Sequence, residues 1–126
     1  MMQLNDKDML DEINAVFNTY ETALVTNDVA QLDALFWESE QTIRFGAKEN
    51  LIGYQAIKDF RAGRSPVGLS RKILDRHVSL FGNHFATTAI TFLRDNEQRI
   101  GRQSQAWVRF DQGWRVVSAH VSWMDL

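Results

Sequence analysis

Tyr20, Arg44, Gln105, His120 and Ser122 are polar side chains set among apolar neighbours, and each brings a definite chemistry to such a place. Tyr20 lies on the apolar stripe of a helical segment. There it is either a core tyrosine whose hydroxyl finds a partner, or a phenol aimed into a pocket that donates a hydrogen bond or proton to a developing anion. Arg44 stands between Ile43 and Phe45. It is either a surface arginine or a clamp for a carboxylate, since the guanidinium fork matches two carboxylate oxygens. Arg61, Arg64, Arg71, Arg76 and Arg102 are further bases in this part of the chain. Taken singly they read as solvated surface, and Arg71 is kept as a binding candidate. Gln103, Gln105 and Trp107 form a row beside His120 and Ser122 on an adjacent strand. In that row Gln105 and Ser122 orient a polar substrate and Trp107 forms one wall. His120 is either a satisfied core histidine or a proton shuttle, imidazole being the side chain that titrates near neutral pH.

Other chemistries lack their residues. There is no glycine-rich phosphate loop and no metal-spaced cluster of His, Asp and Glu. The absence of cysteine removes disulfides, thiolate metal sites and a cysteine nucleophile. Ser118, His120 and Ser122 on one strand make no triad without a placed acid. Asp75 and Asp95 read as strand-end or turn carboxylates. No cofactor is implied.

The net charge of −2 hides an uneven layout. Residues 1–40 hold nine acids and one base, whereas residues 41–126 hold seven acids and thirteen bases. Ten of the fourteen bases are arginine. The acidic first third would repel phosphates, so the arginine excess points to a small carboxylate and away from nucleic acid.

These residues need elements to position them. Met9, Leu10, Ile13, Val16, Phe17, Tyr20 and Leu24 recur at helical spacing, with Asn5 or Asp6 as the cap. Thr26-Asn27-Asp28 breaks this helix, and Asp28 caps a second one that turns Val29, Leu32, Leu35 and Phe36 inward. Gln41 to Gly46 alternates as a short strand. A third helix is expected over Gly53–Ala62, packing Tyr54, Ile57 and Phe60, and 63–68 is a loop. Four long strands follow, at about Leu69–Phe81, His84–Arg94, Gln98–Phe110 and Trp114–Met124, joined by turns of hairpin chemistry. Such lengths demand twist and curl, with bulges expected near Gly101. Strict alternation places Trp114, Val116, Ser118, His120, Ser122 and Met124 on one face of the last strand. Both of its faces are partly apolar, so a homodimer covering one sheet face is expected.

At 126 residues the chain suits a single α+β domain over 1–126, with helices layered on an antiparallel meander. No stretch reaches the ~20 apolar residues that span a bilayer. The opening MMQLNDKDMLDEI has neither the basic region nor the apolar run of a signal peptide, so the expectation is a cytoplasmic protein without membrane contact.

Tyr20-Glu21-Thr22-Ala23-Leu24, Asn27-Asp28 before the second helix, Leu51-Ile52-Gly53 with Ile57 and Phe60, and Trp107 followed by Asp111-Gln112-Gly113-Trp114 run through the whole chain. In this order of elements they resemble the nuclear transport factor 2-like (SnoaL-like, cystatin-like) superfamily. That likeness implies a cone-shaped fold, with three N-terminal helices packed on a strongly curved, mostly antiparallel sheet. Steroid-isomerase members carry a catalytic tyrosine where Tyr20 falls, but their general-base aspartate has no counterpart in Thr42-Ile43-Arg44-Phe45-Gly46. Kinase association-domain members end in a similar strand and line their pocket with arginine, where this chain has Gln105. Tyr20, Thr42–Gly46, Gly101–Gln105 and Ser118–Met124 are most similar to the AtzH-like or HpxZ-type proteins of ureido-acid catabolism.

The resemblance implies loss of CO2 from an N-carboxylated urea in oxalurate- or triazine-type nitrogen catabolism. Tyr20 and Arg44 would be the catalytic pair. Phe17, Arg71, Gln105, Trp107, His120 and Ser122 would contact substrate, with no metal or organic cofactor. An apolar wall of Phe17, Phe45 and Trp107 would weaken solvation of the leaving carboxylate. Two alternatives stand beside this reading. One is a non-catalytic ligand-binding or accessory protein serving a partner amidase. The other is an isomerase or dehydratase with His120 as its base.

Overall fold

The computed structural model describes residues 1–125 and contains three helices and one six-stranded sheet. Helix α1 spans Lys7–Val25. Asp6 caps it by accepting from the Met9 amide. Asn5 instead joins the chain's start to the sheet, its Oδ1 accepting from the Leu80 amide at 2.8 Å. The face α1 buries carries Ile13, Phe17, Tyr20, Ala23 and Leu24. Asn27, at φ 53°, ends the helix in the left-handed region that asparagine tolerates. Asp28 then caps α2 (Val29–Leu35) through the Gln31 amide.

After α2 come β1 (Ile43–Phe45) and β2 (Asn50–Ile52), then α3 (Tyr54–Gly63). The alternation from Gln41 yields only three residues of strand. Strand β2 was not expected: it folds back on β1 as a tight hairpin, pairing Arg44 with Leu51. Strands β3 (Arg71–Phe81), β4 (Phe85–Arg94), β5 (Ile100–Phe110) and β6 (Gly113–Met124) form the meander. The sheet order is β2-β1-β6-β5-β4-β3, and among these described strands only β1 and β6 pair in parallel.

Two departures from expectation decide which residues face the helices. No bulge forms at Gly101, which pairs in register with Phe92 and Trp123. It is glycine because a Cβ there would lie 2.3 Å from the Phe92 ring. The register shifts lie elsewhere, at Ile73/Asp75 on β3 and where Ala106 pairs Ser118 while Trp107 pairs Val116. Val117 is the extra residue. One extra residue moves every later side chain to the other face. Trp114 and Val116 therefore point inward, and so do Ala119 and Val121, while Ser118 and His120 point outward and are exposed. The single-parity face expected for β6 is thus corrected. The inner layer is apolar: Phe17, Leu32, Phe36, Leu80, Phe92, Trp107 and Val116 are each at most 2% exposed. Each such side chain contributes about 1.5–3 kcal/mol by leaving water.

Candidate functional site

Helix α1 delivers Tyr20 to the sheet, and rings hold it there. Tyr20 stacks on Phe17 with centroids 6.2 Å apart and planes 9° apart. It meets the edge of Trp107 at 6.1 Å and lies tilted against Phe36 at 6.3 Å. The phenol is 4% exposed. Tyr54 commits its hydroxyl to the Asp33 carbonyl at 2.9 Å, whereas the Tyr20 hydroxyl enters no hydrogen bond among the described residues. Arg64 lies close enough to Tyr20 for the two groups to interact electrostatically.

Beside Tyr20 the sheet presents a polar row. Thr88, Gln105, Ala119, Arg44 and Leu51 are successive partners across β4, β5, β6, β1 and β2. Gln103 lies two residues along β5 and so shares the face of Gln105. Both glutamines are 3% exposed. Gln105 Oε1 accepts from Thr88 Oγ1 at 3.2 Å, and Thr88 Oγ1 accepts from Trp107 Nε1 at 3.1 Å. Gln103 Oε1 accepts from Arg71 Nη2 at 3.2 Å. Each amide oxygen is thus occupied, and each Nε2 is buried without a partner.

The arginines divide into two groups. Arg71 is held bidentately by Glu21, at 2.6 and 3.2 Å. Arg61 pairs with Asp33 at 2.6 Å and lies over the Phe36 ring, 4.7 Å from its centroid. Arg44 Nη1 donates to Glu49 at 2.9 Å, and the guanidinium lies near the Phe60 ring. Gly46 leaves room for the Glu49 side chain in this pair, because a Cβ there would fall 1.8 Å from Glu49 Oε1. Arg76 is anchored by Asn14 and Asn18, and Arg102 is exposed.

Arg64 and Arg94 form the second group and have no salt bridge among the described residues. Arg64 Nε and Nη2 and Arg94 Nε are buried without any acceptor. Burial pushes the Arg64 pKa down, and the guanidiniums of Arg44 and Arg61 push it further. Burial lowers Arg94 too, followed by Arg71 and Arg44. Arg94 lies over the Trp123 ring at 5.2 Å and near Phe92 at 5.9 Å, the aromatic pair next to the Gln103 row. Five buried N–H-bearing atoms on Arg64, Arg94, Gln103 and Gln105 therefore lack acceptors around one inner patch. All five are donors, and buried donors without partners are costly unless something supplies lone pairs. The open groove of about 580 Å³ between α2 and the β5–β6 turn has no such donor in its lining.

Of the residues singled out from sequence, Phe17, Tyr20, Arg44, Arg71, Gln105 and Trp107 face this inner side. His120 and Ser122 do not. The extra residue at Val117 turns them to the outer face, where Phe45 meets the His120 ring edge-on at 5.8 Å. Phe45 pairs with His120 and so lies outside as well, not in the inner wall. Sequence reasoning passed over Arg64 as loop surface and did not single out Arg94. A usable signal existed for Arg94: it follows Phe92 by two residues on a strand and so shares that inward face. Among the described residues no three His, Asp or Glu side chains come together as metal ligands, and no helix is long and apolar enough to cross a membrane.

Three helices on one curved, mostly antiparallel sheet, with an interior patch between helix and sheet, define the cystatin-like, nuclear transport factor 2-like class. Within that class the chain belongs to the AtzH-like family, whose profile matches residues 2–126. Similar solved structures include a protein of unknown function from Pectobacterium atrosepticum, 44% identical, covering 97% of this chain and 95% of that one with a TM-score of 0.95. A cystatin-like fold protein from Burkholderia xenovorans is 39% identical over 100% of this chain and 99% of that one, with a TM-score of 0.96. A nuclear transport factor 2-like superfamily protein from Salmonella enterica is 24% identical over 94% and 93% of the two chains, with a TM-score of 0.74, and supports the fold alone. No protein of curated function matches the chain.

Proposed function

We propose that this protein binds a small ureido carboxylate between α1 and the sheet and removes CO2 from an N-carboxylated urea without a cofactor, within oxalurate- or triazine-type nitrogen catabolism. The observation that carries the reading is the set of buried donors without acceptors on Arg64, Arg94, Gln103 and Gln105 around Tyr20. Charge supports it. Glu21, Asp33 and Glu49 offset Arg71, Arg61 and Arg44, while Arg64 and Arg94 remain uncompensated. An anionic ligand would supply both the missing charge and the missing lone pairs.

In the reaction the carbamate N–C bond breaks. Its electron pair stays on nitrogen, nitrogen gains a proton, and the carboxylate departs as neutral CO2. Tyr20 would supply or relay that proton, or stabilise the charge developing on the leaving group. Arg44 would hold a substrate carboxylate through the donors that Glu49 leaves free. The apolar walls of Phe17 and Trp107 would favour loss of charge as CO2 forms.

The test follows CO2 release from carboxylated ureas for the wild type, Tyr20→Phe and Arg44→Ala. Loss of turnover in both variants is expected, with Tyr20→Phe still folded because its ring contacts remain. Unchanged turnover in both would remove the assigned roles, and binding without turnover by the wild type would favour the accessory-protein reading. The isomerase reading loses its base, since His120 faces away from Tyr20.

A further inference from the structure

We infer that Thr88 is a positioning residue: it fixes Gln105 as an obligate N–H donor and so restricts this wall of the site to ligands that present lone pairs. The inference rests on the anion-site reading above and adds what decides its selectivity. An amide's two ends have nearly the same shape, so only the hydrogen-bond network decides which end faces a ligand.

In the structure the network runs in one direction. Trp107 Nε1 carries one hydrogen and can only donate, which it does to Thr88 Oγ1 at 3.1 Å. The hydroxyl's single hydrogen then goes to Gln105 Oε1 at 3.2 Å. The Gln105 oxygen is consumed, and its NH2 group is left buried with no acceptor among the described residues. Trp107 is 0%, Thr88 2% and Gln105 3% exposed, so bulk water does not compete at any link. Thr88 and Gln105 are direct cross-strand partners, which keeps the contact within the sheet's own register.

Gln103 receives the same polarity by a separate route. Arg71 also can only donate, and Glu21 holds it in place while it engages Gln103 Oε1. Two amides two residues apart are thus locked in the same sense by different donor-only groups. A carboxylate or carbonyl oxygen meets N–H at both, whereas an ammonium group or the N–H end of an amide meets the same N–H and is rejected.

Calorimetric titration of the full chain with malonate, as a simple carboxylate probe, tests the assignment. Thr88→Val keeps the side-chain shape but frees the amide to turn, and should weaken malonate about tenfold, the scale of one hydrogen bond to a charged group. Thr88→Ser should rescue binding to within about twofold of wild type. In a Gln105→Leu background, Thr88→Val should change nothing further. Equal affinity of Thr88→Val and wild type, or the same loss with and without Gln105, would overturn the role. Should Thr88→Val fail to fold, the wild type still decides. The Gln105 side-chain amide resonances should shift on malonate addition while those of exposed Gln55 stay put, and an unmoved Gln105 signal refutes the inference. Loss of binding in Arg64→Met with Thr88→Val unaffected would leave the anion site standing without Thr88. Wild type that does not bind malonate, or Arg64→Met that binds it normally, would remove both.

Discussion

Replacing Arg64 by methionine should make the empty protein more stable while removing its response to anions. The side chain brings two buried N–H-bearing atoms, Nε and Nη2, that have no acceptor among the described residues, and it makes no cation–π contact there that would be lost. Buried orphan donors cost about 1–3 kcal/mol each; Arg64 is only partly buried, so ~2 kcal/mol for the pair is a fair figure. The downward pKa shift has the same sign, because burial and the neighbouring guanidiniums disfavour the charged form within the fold. Methionine keeps much of the length and brings neither charge nor donors. At roughly 3 °C per kcal/mol for a chain of this size, Tm should rise about 6 °C.

Malonate separates this gain from ordinary repacking. At a hundredfold excess over Kd, a ligand that binds only the folded state adds about 2.7 kcal/mol, so the wild type should gain roughly 8 °C. Arg64→Met should gain little. Differential scanning calorimetry with and without malonate reads both effects. A lower Tm for Arg64→Met without malonate, or an undiminished malonate shift, would refute the reasoning that these donors await an anion.

Gly101→Ala should lower stability by about 1–3 kcal/mol, since its Cβ would enter the Phe92 ring and the ring must move; urea unfolding without a reduced midpoint would contradict this. Glu97 is held at about 2, well below the usual 4.5, chiefly by its hydrogen bond from Arg99. With the folded pKa depressed, its contribution to stability is present above 4.5 and fades as pH falls toward 2. A carbon-detected NMR titration of Glu97 with a midpoint near 4.5 would refute the assignment. The outer sheet face carries a shallow groove of about 390 Å³ lined by small residues including Ala89, Ser104, Ala106 and Ser118. Light scattering at micromolar concentration should give twice 14.6 kDa, and Ala106→Glu should give the single-chain mass; a monomeric wild type would contradict a dimer on this face.

The fold was legible because its strongest signals are periodic. The apolar stripe of α1 and the turn chemistry between β3, β4, β5 and β6 agree with the structure to within a few residues. What escaped was short or aperiodic. Strand β2 has three residues and no alternation to betray it. The extra residue at Val117 leaves no mark in composition, yet it decides the side on which His120 and Ser122 emerge. Tyr20 and Arg44 could be picked out because each interrupts an apolar pattern. Arg64 could not, since a base one residue past a helix, before Ser65-Pro66, looks like solvated loop until the tertiary fold brings it near Tyr20.

Val117 also makes the length of β6 a property in its own right. Because Val117 is the surplus residue, deleting it would leave Val116, Ala119 and Val121 facing inward and Ser118 and His120 facing outward, and would remove only the bulge. Deleting His120 instead would turn Ser122 beneath the helices if the bulge is kept, or Ser118 if it is lost. The strand should therefore tolerate deletion of Val117 far better than deletion of His120, and a deletion scan scored for soluble protein would reveal that hierarchy.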